Sequence, residues 1–447
     1  MKRDNYSFLT TVPVPRVIGT LSVPTIISML VTTIYNMADT FFVGHLDTPS
    51  TAAVGIVFSV MFIIQSIAFF FGHGSGNFIS RELGAKRQQR AEQMATTGFV
   101  YAFGFGILTT LVGLAFLRPI AIALGATPTI LRPTLDYMAI VLLGAPFMTA
   151  QLALNGQMRF QGNAHLAMLG VVVGAIMNIG LDPLLIFVCG MGVKGAAWAT
   201  VIGQVSSFVL LLFLTRYGNN IKLHIKHFNP SWLYIKEIAA GGTPSLMRQS
   251  LGSIATIMLN VAAAVYGDAA IAAMSIVNRI AMFIMSTVIG LGQGYQPLCG
   301  FCYGARLYGR VKEGFWFCVK VGTVFLVICA IAGYIFSEEI ISTFRDDPAV
   351  IGIGIDALRW QLASLPLCGL SMYSNMMLQT AGMTVRANVL AASRRGIFFI
   401  PLILILPHFF GLTGVEACQA AADVCTFLLT LPILTYTLRE LKHDNTN

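Results

Sequence analysis

Two carboxylates sit where almost nothing else is charged. Asp39 lies in "YNMADTFFVGHL" (35–46); the thirteen residues before Asn36 and the seven after Asp39 carry no charged group. Asp182 lies in "AIMNIGLDPLLIF" (175–187), four residues after Asn178, so a helix presents both on one face. Pro183 donates no backbone hydrogen bond, which leaves the carbonyl near Ile179 unpaired as a further oxygen ligand. Thr200 and Gln204 share a face by the same spacing. A carboxylate at mid-membrane costs about 2.5–3.5 kcal/mol. Two acids close together in low dielectric rarely both stay ionised. Either one holds a proton or a bound cation neutralises both, and a hard cation accepts such oxygen donors. The alternative is that the acids only join helices through hydrogen bonds, one of them protonated.

The rest of the chain makes membrane depth the right frame. Of 447 residues, 56% are hydrophobic and 11% charged, against about 25% charged in soluble domains. Mean hydropathy is +0.76. The expected fold class is an all-α polytopic membrane protein. Twelve apolar runs are long enough to span, roughly 17–43, 52–79, 93–117, 133–157, 165–190, 194–216, 237–266, 269–299, 313–337, 354–379, 387–409 and 413–437. The short alternating segments of a β-barrel are absent. The first run is too long for a signal-peptide core, and no A-x-A-like site closes it.

The basic residues orient the spans. The N-terminus, the even-to-odd loops and the C-terminus hold 20 of the 28 Lys and Arg, with Arg159, Arg394 and Arg395 counted among them. The opposite loops hold only Arg118, Arg132, Lys194 and Arg345. This predicts a cytoplasmic-membrane protein with both termini in the cytoplasm. The net charge of +9 is spread over short loops and so does not indicate a nucleic-acid partner. Cys299-x-x-Cys302 has metal or redox spacing, but no second pair or histidine cluster accompanies it. No H-E-x-x-H, G-x-S-x-G or P-loop appears, so no enzyme and no cofactor is expected.

The chain also repeats itself at a shift of 220 residues. Pro24 falls on Pro244, Gly74 on Gly294, "GAK" (84–86) on "GAR" (304–306), and Pro146 on Pro366. The predicted organisation is an N-terminal six-helix lobe (1–216), a linker (217–236) and a C-terminal six-helix lobe (237–447). An even number of spans per half makes the repeats parallel, as in secondary transporters with substrate between two bundles. The acids are not repeated. Asp39 corresponds to Leu259, Asp182 to Ile400, Asn178 to Gly396 and Thr200 to Gln419. A cation site confined to the N-terminal lobe is therefore expected.

At these residues the sequence resembles the multidrug and toxic compound extrusion (MATE) family, in its DinF/MepA-like branch. The stretches that carry the likeness are "PTIISMLVTTIYNMADTFFVG", "NIGLDPLLIF", "GVKGAAWATVIGQ" and "YGDAAIAAMSIVNRI". The resemblance implies two six-helix lobes forming a V and export of lipophilic or cationic drug-like compounds in exchange for H⁺ or Na⁺. It implies a cation site at Asp39, Asn178, Asp182 and Thr200, with Tyr35 one turn before Asp39 lining it. Neutralising Asp39 would let the first span bend at or near Pro24 and release the drug outward. Function as a monomer within the bilayer is expected. A lipid or polysaccharide flippase of the same superfamily is the alternative.

Other intramembrane polar residues are candidates for the substrate cavity: Gln65, His73, Asn77, Asn260, Asn278, Gln293 and Gln296. Each alone also reads as an interhelical hydrogen bond. Arg248 and Arg279 are expected to pair with Asp423 or Glu416, or else to meet anionic substrate groups.

Overall fold

The computed structural model describes residues 5–218 and 220–443. The described residues are helical throughout, with no strand. In chain order the helices are α1 (Asn5–Thr11), α2 (Val14–Val43), α3 (Thr48–Gly84), α4 (Gln88–Ala115), α5 (Leu117–Ala123), α6 (Leu131–Phe160), α7 (Ala164–Pro183) and α8 (Val193–Leu214). The second half continues with α9 (Trp232–Ala264), α10 (Asp268–Gly304), α11 (Tyr308–Ile335), α12 (Ser337–Phe344), α13 (Pro348–Thr380), α14 (Thr384–Ala392), α15 (Phe399–Phe410) and α16 (Leu412–His443). Ten spans are long and apolar enough to cross a membrane, with α14 and α15 forming one of them. Helices α9 and α13, 33 residues each, complete the twelve. They carry more charge, including Arg248 in α9 and Asp356 and Arg359 in α13.

Caps and turns set the bounds of the elements in both halves. Asp47 caps α3 by accepting from the Ser50 amide at 2.7 Å, and Asp347 caps α13 by accepting from the Ala349 amide at 2.9 Å. Lys86 and Arg306, 220 residues apart, both adopt φ +59° after α3 and α10. Gly162 and Gly382 (φ +87° and +82°) close α6 and α13. Positive φ at these ends is the left-handed turn that frees the chain from a helix.

The repeat breaks inside the fifth span of each half. In the first half a π-helical turn, Leu184–Val188, follows Pro183. In the second, the π turn is Ser393–Ile397 and precedes Pro401. Such turns bulge one residue out of register and often mark functional positions.

The connection between α8 and α9 lies at one end of the bundle with α1; this is called the linker end and the opposite one the far end. Helix α9 starts at Trp232, directly after Pro230 and Ser231, so residues 232–236 of the expected linker are helical. Lys2 and Arg3, counted in the charge asymmetry, lie outside the described residues.

The halves meet along α3, α9, α10 and α2 in a seam lined by glycine. A Cβ on Gly74 would strike the Ile238 carbonyl, one on Gly84 the Phe301 carbonyl, and one on Gly304 the Arg81 carbonyl. Side-chain hydroxyls then reach backbone carbonyls across the seam: Thr25 Oγ1 donates to the Gly290 carbonyl (2.6 Å) and Ser22 Oγ to the Leu291 carbonyl (3.2 Å). Small residues are what allow two helices to approach this closely in lipid.

Candidate functional site

Helix α2 packs against α7 and brings Asp39 beside Asp182. Asp39 is 3% exposed and Asp182 fully buried. Asn178, on α7, and Thr200, on α8, are each 2% exposed. The Asn178 amide links them: its Nδ2 donates to Asp182 Oδ2 (3.3 Å), and its Oδ1 accepts from Thr200 Oγ1 (3.2 Å) and from the Thr200 amide (3.3 Å). Tyr35, one helical turn before Asp39, lies within electrostatic reach of both acids. Of the sequence candidates, Tyr35, Asp39, Asn178, Asp182 and Thr200 thus come together in one cluster.

The cluster is short of partners. Asp39 Oδ1 and Asp182 Oδ1 are buried with no hydrogen-bond donor. No Lys, Arg or His among the described residues lies within ion-pair distance of either acid. Buried carboxylate oxygens left in this way are unstable unless protonated or coordinated. Tyr137, fully buried on α6, lies within reach of Asp39, Asp182 and Tyr35 and was missed in the sequence. Nothing in "TLDYMAIV" marks it; only the packing of α6 brings it there.

The second half carries a buried carboxylate of the opposite kind. Asp423, on α16, is fully saturated by donors. Arg394 Nε donates to Oδ1 (2.7 Å), Gln419 Nε2 to Oδ1 (2.9 Å), Ser364 Oγ to Oδ2 (3.0 Å) and Gln361 Nε2 to Oδ2 (3.4 Å). Arg394 sits on the π turn at 393–397, within the span Thr384–Phe410. Arg394 and Arg395 therefore lie well inside a span rather than in a loop. The expected partner also changes. Asp423 pairs with Arg394, whereas Arg248 donates to Asn375 Oδ1 (2.6 Å). Arg394 comes first because the π turn swings it toward α16, whereas Arg248 on α9 faces the seam.

A cavity of about 480 Å³ lies between the halves on the far side of the seam. Tyr35, Asn178, Thr200 and Gln204 form part of its wall, so the acid cluster adjoins it. Gln65 and Asn278 line it, as does Arg279, among apolar side chains such as Phe62, Met148 and Met282. Large, adaptable apolar side chains around a few polar groups suit varied lipophilic ligands. The remaining candidates are placed elsewhere. His73, Asn77, Gln293 and Gln296 are buried in the seam at the linker-end side of the cavity, and Asn260 is exposed outside the cavity wall. Pro24 lies inside an unbroken α2, with Ser28 Oγ donating to its carbonyl (2.9 Å). Cys299 and Cys302 are buried, unpaired thiols, and no metal-holding His, Cys, Asp or Glu group occurs among the described residues.

Comparison with known proteins gives one consistent relation. The MatE family profile matches residues 24–184 and again 244–405, once in each half. The chain is 29% identical to the multidrug export protein MepA of Staphylococcus aureus (strain N315), covering 96% of this chain and 97% of that one. A MepA of Staphylococcus haemolyticus is 28% identical over 94% and 92% of the two chains. Among solved structures, the chain is similar to a multidrug resistance MATE transporter of the MOP superfamily in an outward-facing conformation. The TM-score is 0.93 at 26% identity, covering 99% of this chain and all of that one. A MOP superfamily transporter from Pyrococcus furiosus, described as having a binding pocket of reversed polarity, gives a TM-score of 0.93 at 25% identity over 99% of each chain.

Proposed function

Because the chain belongs to the MatE family and is a membrane transporter rather than an enzyme, we propose that it exports lipophilic and cationic compounds by antiport against H⁺ or Na⁺. The cation is taken by Asp39 and Asp182, with Asn178, Thr200 and Tyr35 around them. One observation carries this reading. The N-terminal half buries Asp39 and Asp182 side by side with unpartnered oxygens and no cation at ion-pair distance, while Asp423 in the C-terminal half has its own arginine. An acid with a covalently tethered cation cannot exchange it. An acid pair without one must draw a cation from solution.

The cluster borders the cavity, so cation and drug compete for one state of the protein. Antiport requires only that the two ligands favour different states. In the state at hand the seam is closed at the linker end and the cavity lies beyond it. Neutralising Asp39 removes the charge that α2 and α7 share, which favours repacking of α2 about Pro24 and drug release at the far end. The excess of Lys and Arg at the linker end supports placing that end in the cytoplasm of a bacterial-type cytoplasmic membrane. The proposed division is a six-helix lobe on each side of the α8–α9 connection.

The test is uphill movement of ethidium in proteoliposomes, with a pH gradient and a Na⁺ gradient imposed separately. Wild type is expected to respond to one gradient, and Asp39→Asn to neither. Equal uphill export by Asp39→Asn would sink the scheme. Failure of wild type under both gradients would favour a lipid or polysaccharide flippase.

A further inference from the structure

The seam contains a second charged cluster that the cation scheme does not use. Arg159, at the end of α6, is 3% exposed. Its Nη1 donates to Gln293 Oε1 on α10 (2.7 Å) and its Nη2 to His73 Nε2 on α3 (2.9 Å). A guanidinium only donates, so Nε2 is the acceptor and the His73 proton sits on Nδ1, which donates to Ser245 Oγ on α9 (2.7 Å). Arg248 adds a second guanidinium on the same residue, its Nη2 donating to Ser245 Oγ (3.3 Å) and its Nη1 to Asn375 Oδ1.

Every acceptor in this cluster is neutral. Among the described residues, no carboxylate lies within ion-pair distance of Arg159 or Arg248, and Arg159 Nε has no partner. By contrast Arg81, also between the halves, is matched by Glu237 (2.9 Å), while Arg310 donates to the backbone carbonyls of Leu9 (3.2 Å) and Val12 (2.6 Å). The internal repeat adds to the contrast, since His73 corresponds to Gln293 and Arg159 to Gln379. A buried guanidinium and a half-buried one without a counter-charge are costly to keep and gain nothing in helix packing that amides would not give. Moreover, the bonds Arg159–Gln293 and His73–Ser245 join opposite halves, so parting the seam breaks both and leaves two forked donors facing the gap.

We propose that Arg159 and Arg248, with His73 between them, form an anion site that is closed by neutral side chains in this state and opens toward the linker end when the halves separate there. The ligand is a phosphate-type anion, whose oxygens match two guanidinium forks. It binds only the opened state and so draws the transporter toward it. This rests on the alternating-access reading above.

The test measures conformation and needs no transport. Spin labels at Thr127 and Asp346, exposed at the far ends of the two halves, report whether that end is apart or closed. The labelled protein, in phosphatidylcholine nanodiscs, is given inorganic phosphate or decyl phosphate; a third sample uses phosphatidylglycerol nanodiscs with neither. The expected result is a gain of about fivefold or more in the far-end-closed population. Arg159→Gln with Arg248→Gln abolishes that gain, and Arg159→Lys with Arg248→Lys keeps part of it. A response to phosphatidylglycerol alone assigns the anion to a lipid headgroup, and a response to the added phosphates assigns it to a soluble or amphiphilic ligand. If wild type populates both states and none of the three shifts them, the anion site is wrong and alternating access stands. If only one state is ever populated, both fail. A gain that persists in the glutamine variants also overturns the site.

Discussion

Gly74→Ala should displace the conformational equilibrium rather than the fold. A Cβ at Gly74 would collide with the Ile238 carbonyl and the neighbouring Ile238 backbone, atoms that cannot rotate away, and a Cβ on Gly241 would in turn lie only 3.1 Å from the Gly74 backbone. Overpacking of this kind costs about 1–3 kcal/mol. That cost is paid only while the seam is shut. The gain in helix propensity from glycine to alanine, about 1 kcal/mol, applies to every state and cancels. The ratio of seam-open to seam-closed protein should therefore rise roughly 5- to 150-fold. The Thr127–Asp346 label distance, measured in a background lacking the native cysteines, should move from a long to a short population. Gly104→Ala on α4 and Gly309→Ala on α11 are controls, since a Cβ at either meets nothing within 4 Å. The reasoning is refuted if Gly74→Ala leaves the distribution as in wild type, or if the controls shift it equally.

Three further outcomes follow from the same geometry. Asp182→Asn removes the charged acceptor of the Asn178 bond, worth about 1.5–3 kcal/mol, so the half-saturating H⁺ or Na⁺ concentration in the ethidium assay should rise about tenfold to a hundredfold; no change would place the cation elsewhere. Arg394→Leu leaves Asp423 buried and uncompensated, costing about 3–5 kcal/mol, and should lower the Tm; Arg394→Leu combined with Asp423→Leu should recover most of the loss, and a double variant no better than the single one would argue against the pair. Pro24→Ala restores an amide proton inside α2; it should raise the Tm and slow ethidium export, and an unchanged export rate would rule out a bend at Pro24.

Much of this protein could be read from local chemistry. Residues 35–46 and 175–187 announce themselves because charge in an apolar run is expensive, and an i, i+4 spacing fixes which groups share a helix face. The duplication was visible because the same turns recur 220 residues apart, and Lys86 and Arg306 repeat even their left-handed φ. Arg394 and Arg395 were misplaced for a local reason too. They precede a strongly apolar run, and their place inside the span depends on a π turn that periodicity does not reveal.

The sequence by itself determined the apolar helices, their number, their doubling and the acids buried within them, because each follows from composition and spacing along one chain. Only the tertiary structure decided which polar groups face which. Gln65 and Asn278 belong to the cavity but His73 and Gln293 to the seam, Asp423 holds Arg394 but not Arg248, and Tyr137 joins the acid cluster. The physical reason is that lipid supplies no hydrogen bonds, so each buried polar group must find its partner on another helix. That partner is set by the rotation and depth at which the helices pack, which spacing within one helix does not encode.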